Sequence, residues 1–376
     1  MVKNLGVSFL LVFISSCFIS VSTAAEVEVS GYVTLFAGYT DEPDRIYSDF
    51  VADNSVDFTD KSHAGVQLNS DIYKDIEFSM TLLMEGIDEF AAHADWFYAT
   101  YTANNNNSLR FGRLKVPFFM VSNYIDIGHA YPWVAPPQEV YNVKLVKSVD
   151  GLEYIYQTDV FDNVFSFDMF VGSGKNHQNL SASYIHDSGI NTATPPYKTG
   201  DTIKFKSNGL VGFETSLASD FVTLRLGHYE TKVDSEDFSI VKAKMAFSSL
   251  GIIVNWNKFI LYSEYVNRQS DESIQHIFSD QMSSYITVGY RIHDLLSYVT
   301  LASIDKGKNK NKYGLMQEST SLGFRYDINP KMDIKLQASR INPKSESADV
   351  GRFGFFDDEI KGNTAMVYTM TIDMLF

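Results

Sequence analysis

Arg110, Arg113 and Lys115 lie close together in a short strand-like run, Ser108 to Val116, that stops at Pro117. Proline cannot donate to a sheet ladder, so the strand must end there. About thirty residues follow with no strand period and many Tyr, Pro and Trp; alternation resumes near Gly151. That aromatic content argues for an ordered loop rather than a disordered one. The loop carries Asp126 and Glu139, with Asp150 near its end. Basic groups facing acidic ones across a narrow wet gap create a transverse field. Such a field orders water and favours small charged or dipolar solutes over apolar ones.

More cations sit on strands. Arg225, Arg291 and Arg325 lie among Thr223, Gly227, Thr287, Gly289, Ser321 and Gly323, and Lys335 lies opposite Ile334, Leu336 and Ala338. A cation facing lipid at mid-membrane costs about 2–4 kcal/mol, so these are expected to face a lumen and form a basic wall. Arg110 and Arg113 conflict, because strict alternation puts residues three apart on opposite faces. A bulge at Gly112 would slip the phase and turn both inward. Lys144 and Lys147, in the same loop, would weaken its acidic side. Tyr124, Tyr131, Trp133 and Tyr141 either track sugar rings or pin the loop to the wall.

The elements that must position these groups are strands. Val27, Val29, Val33, Leu35, Ala37 and Tyr39 share one face, and Glu28, Ser30, Tyr32 and Thr34 the other. Ile76, Phe78, Met80, Leu82 and Met84 likewise oppose Glu77, Ser79, Thr81 and Glu85. The last stretch sets Met366, Tyr368, Met370, Ile372, Met374 and Phe376 against Thr369, Thr371 and Asp373. Short turns near 70–75, 104–107, 159–163, 218–220, 255–258, 293–295 and 327–331 alternate with mostly longer connections, the longest near 41–62, 117–149, 173–203 and 342–362. That rhythm predicts an all-β transmembrane antiparallel barrel of about 16 strands, its long third loop folded into the lumen. A lumen of that width is too large for side chains alone to fill. The competing fold is a large soluble β-sandwich.

Residues 1–24 read as a signal peptide, with Lys3, an apolar run from Leu5 to Ile14, and small residues at Ser22-Thr23-Ala24; 25–376 would be the barrel. An anchoring helix, or a lipoprotein box ending at Cys17, are the alternatives. Cys17 is the only cysteine, so a chain cleaved after Ala24 has none, which excludes disulfides, thiol nucleophiles and cysteine metal sites. The formal charge is −15, or −16 once Lys3 is removed, which argues against nucleic acid as a partner. Gly172-Ser173-Gly174-Lys175 lacks phosphate-loop spacing and reads as a strand-ending turn. The histidines show no i, i+4 metal pairing, and the acids of the first loop, from Asp41 to Asp60, are too widely spaced for a calcium loop. No cofactor, metal or catalytic residue is expected.

The signal segment, Phe111-Gly112-Arg113, the long third loop and the terminal Phe376 together resemble a Gram-negative outer-membrane porin of general diffusion type. Ile125-Asp126-Ile127-Gly128, Tyr131-Pro132-Trp133 and Pro136-Pro137-Gln138-Glu139-Val140-Tyr141 are similar to one porin-like branch, as are Gly289-Tyr290-Arg291 and Gly323-Phe324-Arg325-Tyr326-Asp327. The resemblance implies a 16-stranded homotrimeric pore in the outer membrane, in contact with membrane lipid and lipopolysaccharide. It also implies passive diffusion of small hydrophilic solutes and ions, with no enzyme activity. In similar porins the arginine of the aromatic-Gly-Arg step faces the constriction, which ranks Arg113 ahead of Arg110. A solute-specific channel for an oxyanion or oligosaccharide, an outer-membrane lipid hydrolase and a non-conducting surface barrel are the rival readings.

Overall fold

The computed structural model describes residues 26–42, 45–47, 50–52, 56–142, 148–179, 202–275, 278–307, 315–344, 354–356, 360 and 362–376. The expected signal segment lies outside the described residues, as do Lys144 and Lys147. The strands in chain order are β1 (Val27–Thr40), β2 (Arg45–Tyr47), β3 (Phe50–Ala52), β4 (His63–Tyr73), β5 (Ile76–Glu85), β6 (His93–Asn104), β7 (Asn107–Lys115), β8 (Ser148–Val160) and β9 (Asn163–Asn179). They continue as β10 (Thr202–Ala218), β11 (Val222–Ser235), β12 (Ile240–Trp256), β13 (Phe259–Ser270), β14 (Gln281–Ile292), β15 (Leu295–Lys306), β16 (Gln317–Asn329), β17 (Met332–Pro343) and β18 (Ala365–Leu375).

Sixteen of these form one closed antiparallel barrel, each paired with its neighbour in sequence; β2 and β3 make a separate hairpin in the first long connection. Closure is made by β1 on β18, in register from Tyr32 opposite Leu375 to Thr40 opposite Val367. Phe376 continues that pairing, exchanging backbone hydrogen bonds with Gly31. A closed barrel satisfies the backbone groups that an edge would leave bare in lipid.

The alternation predicts the faces correctly. Val27, Val29 and Leu35 point out and are exposed, whereas Tyr32, Thr34 and Phe36 point in and are buried. This inverts a soluble protein: the apolar band is outside, as a lipid-facing surface requires. Tyr73, Tyr101, Phe161, Phe221, Trp256, Phe259, Tyr290 and Tyr326 are exposed near the short turns, forming an aromatic girdle at one membrane face. The tightest turns are two residues long. At Phe161 and Asp162 both φ values are positive, 47° and 62°, a geometry that matches the twist of the flanking strands.

One expectation is overturned. Gly172-Ser173-Gly174-Lys175 is no turn; it lies inside β9, with Gly172 paired to Leu210 and Gly174 to Ser207. β9, β10 and β12 each run 17 residues. At a 45° tilt that is a height of about 40 Å, well above a belt of about 25 Å. These strands rise past the membrane as a wall, so membrane thickness does not set where they stop.

The packed core sits inside the barrel. It joins Val116, Phe118, Phe119, Met120, Val121, Tyr131, Trp133, Val134, Val140 and Tyr141 to inward residues of the wall, Tyr229, Phe247, Tyr262, Tyr285 and Tyr298 among them. Among the described residues no helix is long and apolar enough to cross a membrane.

Candidate pore-lining site

The segment 116–142 leaves β7 at Pro117 and lies against inward residues of the far strands. Phe118 packs on Tyr229 and Phe247, with ring centroids 4.7 and 5.0 Å away. Met120 N–H and the Tyr141 hydroxyl both donate to the Glu264 carboxylate, each at 3.1 Å. Trp133 stands edge-on to Tyr262 and Tyr285, and its Nε1–H donates to Thr287 Oγ1 at 2.9 Å. Arg225 donates to the carbonyls of Met120 and Pro117 at 3.0 and 3.2 Å and ion-pairs with Glu214. A segment with few backbone partners of its own needs such side-chain donors, because a buried carbonyl left bare costs free energy.

The middle of the segment docks on charges. Lys335 Nζ donates to Gly128 O at 2.5 Å, lies 3.1 Å from Asp373, and sits 4.8 Å from the centre of the Tyr131 ring. Arg325 donates to the carbonyls of His129 and Tyr131 at 2.7 and 3.0 Å. Asp333, fully buried, meets Arg325 at 3.1 Å and His129 Nδ1 at 2.6 Å. Position 128 must be glycine: a Cβ there would fall on the Asp373 carboxylate and the Thr34 hydroxyl. Two single 3-10 turns, Ser122–Tyr124 and Gly128–Ala130, and a short helix, α1 (Gln138–Tyr141), let the backbone follow this surface.

The structure sorts the predicted residues into three groups. Arg225 and Arg325, with Lys335, do face inward, but as clamps on loop carbonyls rather than as free charges. Arg291 pairs with Asp327, which Arg325 also holds. Lys115 and Asp126 come together: Lys115 bridges Asp126 and Asp95, and the Asp126 carbonyl meets His63 Nε2 at 2.8 Å.

Arg110 and Arg113 separate. Register runs unbroken through Gly112 on both sides, with Tyr98 and Gly151 opposite it, so no bulge slips the phase. Gly112 takes φ 142°, which absorbs the local strain without an extra residue. Arg110 faces inward, 5.0 Å from the Tyr98 ring centre and 3.2 Å from Glu153. Arg113 faces outward, beside Phe97 and Phe111, which are 40% and 65% exposed, and pairs with the exposed Asp150. The ranking of Arg113 ahead of Arg110 does not fit this geometry, since of the two it is Arg110 that lies on the lumen face. Asp150 leaves the acidic side of the loop with Arg113.

Glu139 is also corrected. It faces no arginine wall; it is buried under the segment and accepts from Gln317 Nε2 at 2.7 Å. Burial pushes its carboxyl above the ordinary carboxylate range, the Gln317 hydrogen bond opposing only part of the shift. α1 sets it against Gln317 on β16.

Several residues of the site were not anticipated: Glu264, Thr287, Asp333, Glu153, Asp168 and Glu214. Their one visible signal is polarity at inward positions of otherwise apolar-alternating strands. Outside the lumen, Glu85, Asp88 and His93 bring ligand-type atoms within 4.8 Å of one another in the β5–β6 connection. Asp88 and His93 are exposed and Glu85 is half-buried.

Several solved structures share the fold. An anion-selective porin from Comamonas acidovorans matches at TM-score 0.60 and 13% identity, covering 94% of this chain and 100% of its own. The outer-membrane channel DcaP of Acinetobacter baumannii matches at TM-score 0.58 and 14% identity, over 94% of this chain and 98% of its own. OmpT of Vibrio cholerae, an outer-membrane protein solved in trimer form, matches at 0.56 and 12%, over 94% and 100%. No curated protein sequence matches this chain. At such identities these structures speak for the barrel alone. The sequence itself matches the model of the Gram-negative porin over residues 10–345, and with the sixteen-strand barrel around its lumen this establishes that the chain belongs to the Gram-negative porin family.

Proposed function

We propose that this outer-membrane porin passes small hydrophilic solutes and ions between segment 116–142 and the inner faces of β5–β10. The observation that carries this reading is one-sided docking. Most of the segment's anchors lie on β11–β18, with Lys115 and His63 holding Asp126 from β7 and β4, whereas Glu77, Tyr98, Arg110 and Asp168 keep part of their surface. A barrel of this size filled on one side retains a wet passage on the other. Trp133 and Tyr141 are buried against wall tyrosines and Tyr131 against Trp133 and Lys335, which supports pinning over sugar tracking. In this reading residues 1–24 direct export, the apolar band meets lipid and lipopolysaccharide, and three copies assemble. Purified protein in planar bilayers should give discrete, voltage-tolerant ion currents in steps of three; a protein without discrete conductance would sink the reading, and single steps would sink the trimer.

Glu139 gives this docking a pH dependence. Its carboxyl is raised when α1 is seated, so its contribution to docking is fully present below the ordinary carboxylate value and is lost as pH rises through the raised value. Current noise from segment motion should therefore increase with pH across that window. Glu139→Gln keeps an acceptor for Gln317 and should remove the dependence, leaving a quiet channel at every pH. Equal pH profiles for the two proteins would refute the role.

A further inference from the structure

The inner faces of β7–β11 carry a row of charges beside the open side of the segment. Arg110 pairs with Glu153 at 3.2 Å. Arg225 pairs with Glu214 and uses its other donors on the carbonyls of Met120 and Pro117. Between them, on β9, stands Asp168. Its register partner on β10 is Glu214, a like charge, and on β8 it is Ile155. The Asp168 carboxylate accepts a hydrogen bond from Ser166 Oγ at 3.1 Å; Arg110 and Arg225 act on it electrostatically from beyond ion-pair distance, each already paired with a glutamate. Carboxylates placed directly opposite on one face of a sheet repel.

Cations on other strands are engaged elsewhere. Lys115 sits between Asp95 and Asp126. Lys335 is held by Asp373 and Gly128 O, and Arg291 and Arg325 share Asp327. The row thus sets three carboxylates, Glu153, Asp168 and Glu214, against two guanidiniums, Arg110 and Arg225, and Asp168 is the carboxylate left over once each guanidinium has its ion pair.

We propose that Asp168 is the residue that sets the charge preference of this channel, and that the preference is for small cations and solutes carrying an ammonium group. The inference rests on the porin reading above and goes beyond it by naming the sign and the residue. An unmatched charge in a narrow, poorly screened passage raises the local concentration of its counter-ion and excludes its co-ion. The Comamonas structure with which this chain shares its fold is an anion-selective porin, so the fold itself carries no sign.

Reversal potentials in a KCl gradient across a planar bilayer test this. Wild type is expected to favour potassium over chloride by about threefold or more, below the roughly tenfold counter-ion enrichment that a fully one-signed cleft can reach. Asp168→Asn keeps the Ser166 contact and should at least halve that ratio, and Asp168→Lys should invert it. Asp150→Asn removes the same charge from the barrel exterior and should leave the ratio unchanged. Heat-modifiable mobility on gels reports that each barrel has folded. Conducting channels whose ratio is indifferent to position 168, or a wild type that prefers chloride, overturn this inference and leave the porin reading standing. A wild type with no current at all overturns both.

Discussion

Lys335→Met is expected to release the middle of segment 116–142 while leaving the barrel closed. Lys335 is fully buried among Asp373, Asp333, Gly128 O and the Tyr131 ring. Removing the cation leaves two buried carboxylates short of a partner, at a cost of about 3–5 kcal/mol. The barrel has no reason to absorb that cost. β17 is held by unbroken backbone registers to β16 and β18 around this position, and its outward Leu336 still faces lipid. Undocking the segment is the cheaper relief, because it lets water reach Asp333 and Asp373. Single-channel recording should then show a larger, noisier conductance, and limited proteolysis should cut within 116–142 where wild type resists. Neutralising the partner as well, Lys335→Met with Asp373→Asn, should recover much of the quiet state, since Arg325 still serves Asp333. A single variant as quiet and as narrow as wild type would show that the segment does not depend on this charge.

What sequence reasoning reached, and what it missed, divides along the range of the interaction. The barrel was legible because its signals are local. Val27, Val29 and Leu35 against Tyr32 and Thr34 need only a period of two, and the seven short turns carry their own turn residues. Pro117 marked the strand's end for the same reason. The site was legible only in outline. Arg225, Arg325 and Lys335 are expected inward because the alternative is a cation in lipid, and they are inward. Their work as carbonyl clamps depends on Gly128 and Met120, residues more than a hundred positions away. The phase at Gly112 was open because a glycine permits either a bulge or an unusual φ, and only the partner strands decide. Glu139 misled because an acid in a loop is ordinarily solvated, whereas α1 here turns its face onto Gln317. The best unused signal was aromatic: Tyr229, Tyr262, Tyr285 and Tyr298 occupy inward positions, where a water-filled barrel has no use for them. Inward tyrosines on consecutive stretches of wall mean that something packs there, and they identify the docking side.

Trp133→Ala should have the second large effect, and it separates pinning from sugar recognition. The ring is about 1% exposed, wedged edge-on between Tyr262 and Tyr285, with its N–H given to Thr287. Truncating a buried tryptophan costs about 3–5 kcal/mol, from lost transfer energy and from the cavity it leaves. The cavity opens toward the lumen, so water can enter it and the neighbouring Val134 and Tyr131 lose their seat. Conductance in plain salt should therefore rise, with no solute present. Trp133→Phe keeps the ring contact and gives up chiefly the Thr287 hydrogen bond, worth about 1 kcal/mol, because Thr287 retains Thr300 as a partner. It should stay near wild type. A sugar platform predicts the opposite division: unchanged salt conductance in the alanine variant and a change only in saturable block by oligosaccharide. The ring offers no free face on which a sugar could stack, since both neighbours meet it from the wall. Its contribution to selectivity is mechanical. By fixing where the segment lies, Trp133 keeps the passage against the strands that carry Arg110, Glu153 and Asp168, and a segment allowed to swing away would leave those charges too far from the solute to act on it.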